Sequence, residues 1–417
     1  MAKQIFEGIK VADFSWVGVG PLVGRELAEH GATVIRIESH RRPDPLRANA
    51  PMRDGKAGID RSAFGAAYNT QKLGMSLDLT RPRAREVARR LFAWADVALD
   101  GFTPGTMKKL GLDYEEAKKV KPNIIYCSTC QMGQQGPLAT FGGYGAFGVA
   151  YAGFSYITGW PDREPNYLFN NHGDFVATWY LSIALIGALV YRHQTGKGMF
   201  LDQAQVEGGA TFLGPLALDC VVNGRIAQRV GNYDPYAAPH AAYPCLGDDR
   251  WVNITVSTEA EWQAFCRVMG EPGWAKDPRF ATARGRKEHE EELDRLIGEW
   301  TKDYHEFEAM ARLQASGVPA GVVETSEDLF NDPQLKHRQH FRFLQHKAIG
   351  RMACHAPAYI LSKTPNYIWK APNCLGEDNE YVYKQLLGYS DDEVADLLID
   401  GVITTETDVP DFLREKK

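Results

Sequence analysis

Cysteine is scarce in this chain, with seven in 417 residues, an odd number spread thinly. That usage excludes a disulfide framework and fits a reducing cytosol. The start, Met1-Ala2-Lys3-Gln4-Ile5, has no apolar signal region, which agrees with a cytoplasmic expectation. Neither sign of charge dominates: 47 basic against 53 acidic residues leave a net −6. No broad basic field exists for nucleic acid or an anionic membrane, so the expected partner is a small molecule. Long apolar runs are absent too. The longest, Phe175 to Tyr191, spans 17 residues and includes Trp179, Tyr180 and Ser182; it falls short of the roughly 20 needed to cross a bilayer and reads as a buried core helix. There is no internal repeat and no Gly-x-Ser-x-Gly elbow of a serine hydrolase. Cys127-Ser128-Thr129-Cys130 has zinc-like spacing but no second pair at a suitable distance, so no metal site is expected.

What the chain does contain is alternation of strand-like and helix-like segments. Ile9 to Phe14 is β-rich, Ser15 to Gly20 is a glycine-bearing turn, Pro21 suits a first helical position, Gly31 ends the helix, and Thr33 to Glu38 is the next strand. Further strands are expected at Gly74 to Leu79, Val97 to Leu99, Ile124 to Ser128 and Met199 to Leu201. Helices are expected at Pro82 to Ala95, Thr106 to Val120, Phe175 to Tyr191 and from about Gln203. This predicts an α/β fold with a doubly wound, mainly parallel, Rossmann-like sheet. From Gly231 to Pro244 the chain is rich in Gly, Pro, Ala and Tyr and reads as an irregular crossing segment. A smaller α+β domain follows, with a strand at Trp251 to Val256, helices at Glu259 to Met269 and Arg286 to Thr301, and a turn and strand within Gly317 to Thr325. Beyond Phe343 the chain turns β-like, and Ser390-Asp391-Asp392-Glu393 forms a capping box for a last helix ending near Gly401. The expected division is residues 1–220 for the large domain, 221–342 for the linker and small domain, and 343–417 for the return to the large domain.

Asp174 is the residue of greatest chemical interest. It follows His172-Gly173 and precedes the apolar run, so its carboxylate is expected where loop becomes helix. Free N–H groups and the positive end of the helix dipole would favour an ionised carboxylate there, competent as a nucleophile at neutral pH. A plain N-cap explains the same residue, although Ala177 supplies no capping-box partner.

Several separate stretches, in order, resemble the class III CoA-transferases, which include formyl-CoA, carnitine, succinyl-CoA-dependent and benzylsuccinate CoA-transferases and related acyl-CoA racemases. They are Val11-Ala12-Asp13-Phe14 with Gly20-Pro21; Gly31 to Glu38; Asn69 and Lys72 leading into Leu77-Asp78-Leu79; and Ala95-Asp96-Val97. Phe102-Thr103-Pro104-Gly105 with Leu110-Gly111, Gly173-Asp174, Gly317 to Gly321 with Asn331 to Leu335, and Leu375-Gly376-Glu377 with Leu387-Gly388 complete the set. The resemblance covers nearly the whole chain. It implies two ring-like subunits threaded through each other, as a homodimer or as a heteromer with a related subunit, and Asp174 as the catalytic residue. It implies acyl-CoA and a carboxylic acid as substrates with no tightly bound cofactor, the donor being succinyl-CoA or a similar thioester.

By the same resemblance, coenzyme A contacts map onto Val17, Gly18, Ser39, Arg41, Leu77, Asp78, Leu79, Thr80, Gly101, Phe102, Thr103, Lys109, Gly142, Gly143, Tyr144 and Gly145. Ser39 and Lys109 stand where arginine serves elsewhere, and His40, Arg41 and Arg42 are the basic residues that restore charge near the nucleotide phosphates. Phe102 either stacks on adenine or fills the core. The stretch Gly231 to Tyr243 corresponds to a loop that closes on aspartyl intermediates in formyl-CoA transferases. There the loop carries a polyglycine run, whereas this chain has Asp234-Pro235-Tyr236-Ala237-Ala238-Pro239-His240. Trp160, Tyr167, Phe169, Phe175, Trp179 and Tyr180 lie near Asp174 in sequence and suit a pocket for an aromatic or bulky acid such as benzylsuccinate, or ordinary core packing.

Two other enzyme classes share parts of this pattern. A racemase or epimerase of the same fold pairs its aspartate with a histidine in a Gly-His-Asp setting, where this chain has Gly143-Tyr144-Gly145. His172 is the nearby histidine, expected to be structural or substrate-orienting. A nicotinamide-dependent oxidoreductase would use Gly18-Val19-Gly20 and Glu38, but the third glycine position is Val23.

Overall fold

A computed structural model describes residues 3–168, 172–366 and 368–414. Six strands form one sheet: β1 (Lys10–Asp13), β2 (Thr33–Glu38), β3 (Leu73–Ser76), β4 (Val97–Asp100), β5 (Ile125–Cys130) and β6 (Met199–Ala204). Their order is β3-β2-β1-β4-β5-β6, and every neighbouring pair is parallel. The order reverses between β1 and β4, where Val11 pairs with Val34 on one side and Val97 on the other. Open α/β sheets bind ligands outside the carboxyl ends of the strands at such a reversal.

Alternate residues of these strands feed two cores, because successive side chains on a strand point to opposite faces. Ala12, Phe14, Ile35, Ile37 and Ala98 pack with helix Ala84–Trp94 and with Tyr383 and Leu397 from the C-terminal segment. Val11, Val34, Val97, Leu99 and Cys127 pack against α1 (Val19–Glu29) and against Ala177, Leu181, Leu185 and Ala188 of the long helix His172–Thr195. The sheet is therefore covered on both faces, which is why its strands read as apolar runs.

The C-terminal segment binds β3 through its backbone. Gly74 and Ser76 donate N–H bonds to Asp378 Oδ2 (2.7 Å) and Asn379 Oδ1 (2.8 Å), and the Tyr383 hydroxyl donates to the Ser76 carbonyl at 2.8 Å. The last helix, Asp391–Ile399, opens on a complete capping box of Ser390 and Glu393.

The chain divides into two compact units: 1–154 with 167–225 and 334–417, and 155–166 with 226–333. The second unit holds an antiparallel sheet of β7 (His240–Pro244), β8 (Trp251–Thr255) and β9 (Ala320–Val322). Helices including Glu259–Val268, Glu290–Thr301 and Glu306–Ala315 pack on it around Trp262, Phe265, Leu293, Ile297 and Leu313. A hairpin of β10 (Phe341–His346) and β11 (Gly350–His355) belongs to the first unit.

Several sequence expectations are corrected. Thr106 to Val120 is two helices, Thr106–Leu110 and Tyr114–Val120, because Gly111 takes a left-handed φ of +69° and Asp113 caps the next start. Arg286 to Thr301 breaks at His289 between Ala283–Glu288 and Glu290–Thr301. Gly231 to Pro244 is not wholly irregular, since its end pairs with β8 as β7. The apolar run forms a 24-residue helix, longer than expected because His172 to Asp174 precede the run and Arg192 to Thr195 follow it within the helix, and only one stripe of it is buried. Trp179, Ile183, Ile186 and Val190 are exposed on another face.

Candidate active site

Asp174 lies in the first turn of the long helix, with Gly173, Asp174, Val176 and Ala177 buried. Its carboxylate faces the turn after β1. A Cβ built on Gly18 would stand 2.6 Å from Asp174 Cγ, so only glycine lets this backbone come so close. Among the described residues no group donates a hydrogen bond to the carboxylate, although Thr178 Oγ1 bonds the Asp174 carbonyl at 2.8 Å. Asp174 is only 6% exposed, and burial pushes its carboxyl up to about 7. The expected stabilisation of the anion by helix N–H groups is thus corrected: the side chain reaches out to Gly18 rather than back over its own helix start, and desolvation governs its basicity.

The turn presenting Gly18 is held on two sides. Asp13, at the end of β1, accepts bonds from the Ser15 N–H (3.1 Å) and the Ser15 hydroxyl, while Lys72 Nζ donates to Asp13 Oδ2 (2.8 Å), the Pro21 carbonyl (2.8 Å) and Asn69 Oδ1 (2.9 Å). Burial alone would raise the Asp13 carboxyl, but Lys72 and Arg36 outweigh it and hold it below its ordinary range. On the other side the Val17 N–H donates to Asp44 Oδ2 at 2.9 Å.

A cleft of about 590 Å³ opens above the strand reversal. Of the residues expected to meet coenzyme A, Val17, Gly18, Ser39, Leu77, Asp78, Leu79, Thr80, Gly101, Phe102, Thr103 and Gly142 to Gly145 line it, together with Asp174. Two do not. Arg41 donates to Asp78 (2.9 Å), the Gly401 carbonyl (2.7 Å) and Asp408 (2.9 Å), so its guanidinium ties down the C-terminal segment. Lys109 is exposed on a helix that offers Thr106 and Leu110 to the cleft.

The basic residue that does line the cleft is Arg42, whose guanidinium stands 5.7 Å from the Trp16 ring centroid. Trp16 in turn meets Phe102 edge-on at 5.2 Å. Phe102 is aimed by Asp100, which accepts its N–H at 3.1 Å and the Ser128 hydroxyl at 2.7 Å; burial raises the Asp100 carboxyl to about 6. Trp16, Gln131 and Gln205 were missed as cleft residues. Gln131 and Gln205 follow the carboxyl ends of β5 and β6, the one positional signal that could have found them, and Gln131 Nε2 donates to Gln205 Oε1 at 2.7 Å.

A second chamber of about 630 Å³ shares Val17, Gly18, Pro45, Tyr144, Gly145 and Asp174 with the cleft. Its remaining wall is Leu46, Asn49, Ala50, Phe64, Tyr68 and Ala146. Phe64 and Tyr68 meet edge-on at 5.3 Å. The aromatic residues expected to line an acid pocket do not line it. Phe175, Trp179 and Tyr180 are exposed on the outer side of the long helix, Tyr167 is exposed, and the Trp160 ring packs over Gly231 in the second unit; Phe169 lies outside the described residues. His172 meets Phe154 and Phe212 edge-on at 5.2 and 6.1 Å, a structural setting.

Asp174 thus presents a buried carboxylate, without a hydrogen-bond donor among the described residues, against a glycine turn between two chambers at a strand reversal. The chain belongs to CoA-transferase family III, whose sequence profile matches residues 6–379. It is 31% identical over 398 residues to the succinyl-CoA–D-citramalate CoA-transferase of Chloroflexus aurantiacus, covering 95% of this chain and 98% of the relative. It is 27% identical over 401 residues to the beta subunit of that organism's succinyl-CoA–L-malate CoA-transferase, covering 95% and 97%. A solved CAIB/BAIF family protein from Brucella suis superposes with a TM-score of 0.85 at 30% identity, covering 92% of this chain and all of the other. The protein is thus a CoA-transferase acting between an acyl-CoA and a carboxylate.

Proposed function

We propose that Asp174 carries the transfer through covalent intermediates. Its carboxylate attacks the thioester carbonyl of the acyl-CoA; the C–S bond breaks, leaving a mixed anhydride and a CoA thiolate. The thiolate attacks the aspartyl carbonyl and expels the donor acid as its carboxylate, leaving an aspartyl-CoA thioester. The acceptor carboxylate attacks that thioester and releases the thiolate, which takes the acceptor acyl group from the new anhydride and frees Asp174. Bonds exchange without net proton transfer. The observation that carries this reading is the desolvated Asp174 carboxylate, unpaired among the described residues and shared by the two chambers.

The cleft holds the coenzyme, with Arg42 toward its phosphates and Trp16 and Phe102 as stacking surfaces; the Gly142 to Gly145 backbone lies over the thiol arm. The second chamber holds the acyl group. Its Phe64, Tyr68 and Leu46 suit an aromatic or bulky acid, and Asn49 and the Tyr144 hydroxyl give polar contacts for a dicarboxyl donor such as succinyl-CoA. Racemisation is disfavoured because no histidine is among the residues lining either space. The segment Gly231 to Tyr243 is anchored where the Ala238 N–H bonds the Val256 carbonyl at 3.1 Å and Arg286 Nε donates to the Ala238 carbonyl at 3.0 Å, which speaks against a freely swinging lid.

The working unit is a dimer, of two copies or with a related subunit, in an interlocked arrangement. The exposed Trp179, Ile183 and Val190, with Leu218, Val221 and Val222 on helix Gly214–Asn223, are apolar surface that a partner subunit covers. Seven free cysteines fit a reducing cytosol.

The test is turnover on a panel of acyl-CoA donors and free acids, read by mass, with hydroxylamine added to trap the intermediate. Wild type is expected to transfer CoA and to become modified at Asp174, and an Asp174→Asn variant to do neither. Equal transfer by both proteins removes the mechanism.

A further inference from the structure

Val17 has a φ of +65°. That region is uncommon for any side-chain-bearing residue and a true outlier for a β-branched one. Such strain persists only where surrounding bonds over-determine the backbone. Here it sits one residue before Gly18, whose Cα abuts the Asp174 carboxylate.

What holds Val17 is Asp44. Asp44 Oδ2 accepts the Val17 N–H at 2.9 Å and also meets the Arg36 guanidinium, while Oδ1 accepts the Leu46 N–H at 2.9 Å. The Asp44 N–H is bonded in turn to Glu38 Oε1 at 3.3 Å, and Glu38 is gripped by Arg47 at 2.7 and 2.8 Å. Arg36 also stands 3.7 Å from Asp13, the carboxylate that fixes Ser15 at the other end of the turn. Arg36, Asp13 and Asp44 are all buried. The six-residue stretch from Asp13 to Gly18 is therefore suspended between two carboxylates that share one guanidinium.

We propose that Asp44 is a positioning residue for the transfer reaction. It holds Val17 in its left-handed conformation so that Gly18 keeps the Asp174 carboxylate facing the space shared by the two chambers. The inference rests on the reading of Asp174 as nucleophile. A displacement of about 1 Å in a reacting group costs on the order of a hundredfold in rate, so a small relaxation of this turn is visible in kcat.

The experiment compares wild type, Asp44→Asn, Val17→Gly and the double variant. Asp44→Asn keeps an oxygen for the Leu46 N–H but cannot offer a carboxylate to both Val17 and Arg36. Measured quantities are kcat, KM for acyl-CoA, Tm, and the rate of hydroxylamine modification at Asp174. Asp44→Asn is expected to lower kcat and the trapping rate at least about tenfold, with KM changed less than about threefold. Adding Val17→Gly is expected to recover Tm without recovering kcat, because glycine removes the strain while leaving the turn free. Recovery of kcat together with Tm, or an unchanged trapping rate in Asp44→Asn, overturns the proposal and assigns Asp44 to folding alone. Should Asp44→Asn alone fail to fold, the double variant is compared with Val17→Gly: its kcat must be lower, and a kcat equal to that of Val17→Gly overturns the proposal. Absence of Asp174 modification in wild type is a distinct outcome that removes the nucleophile and this inference with it.

Discussion

Two groups of buried carboxylates stand close to the same turn and have opposite characters. Asp13 and Glu38 are enclosed with Lys72, Arg36 and Arg47, and these cations hold the Glu38 carboxyl down to about 2 against its burial and keep Asp13 below its ordinary range. Asp174, comparably buried, has no cation beside it among the described residues, and its carboxyl rises to about 7. The first group is spent on architecture: its charges satisfy one another and have little reactivity left. The second keeps its lone pairs free of donors among the described residues, as the proposed nucleophile requires, at a cost to the fold. Hydrogen-bond donors separate the two more clearly than burial does: burial also raises the Asp44 and Asp100 carboxyls, but their oxygens are taken up by Val17, Leu46, Phe102 and Ser128.

The contrast breaks most sharply at Asp174 itself. Asp174→Asn is expected to lower turnover by about 10⁴-fold, read by mass as CoA transfer, because the variant has no nucleophile. On the scaffold side, Lys72→Met leaves Asp13 buried with only Arg36 nearby and is expected to destabilise the protein by about 3 kcal/mol in urea unfolding, with a loss of activity no larger than the loss of folded protein. Next comes linkage. A carboxyl raised from 3.8 to about 7 weakens the fold as pH climbs through that interval, and the full cost is present above pH 7. Asp174→Asn is therefore expected to be more stable than wild type by about 2–4 kcal/mol at pH 8 and nearly equal to it at pH 4. Equal unfolding midpoints at pH 8 would contradict the raised carboxyl. The same titration makes kcat/KM of wild type fall about tenfold per pH unit below 7.

Gly18→Ala keeps both groups but forces a methyl into the 2.6 Å gap against Asp174 Cγ. A drop of about a hundredfold in kcat is expected, with Tm altered by a few degrees, from stopped-time assays beside thermal melts. The smallest effect is at the cleft's edge. Arg42→Ala is expected to raise KM for acyl-CoA about five- to tenfold while leaving KM for the free acid unchanged; equal rises in both would place Arg42 elsewhere in the cycle.

Much of the sheet was visible in the chain because its strands are short runs bounded by glycine, proline or caps. Thr33–Glu38 coincides with the expected strand, and the six strands of the large sheet were all located, although their order was not. The position of Asp174 was visible from its place before the apolar run. Its state was not, because a helix start suggested a stabilised anion and only the packing of Gly18 reveals the desolvation. Arg41 and Arg42 are adjacent and chemically identical in sequence; choosing between them requires knowing that Gly401 and Asp408 return to occupy one of them. The chamber wall of Leu46, Phe64 and Tyr68 comes from a stretch with short helical turns and no periodicity, so nothing marked those aromatics as neighbours of Asp174.

The bonds from Asp378, Asn379 and Tyr383 to β3, and from Asp408 to Arg41, make residues near the end of the chain part of the sheet that carries the site. A ribosome synthesising this polypeptide has already released β1 to β6 long before those residues emerge. The nascent large unit waits with the β3 edge bare while the intervening unit is made, so that edge of the sheet is finished only once residues 378 to 408 have emerged. A reading frame cut short after β6 would yield a protein carrying Asp174 and no finished place to use it.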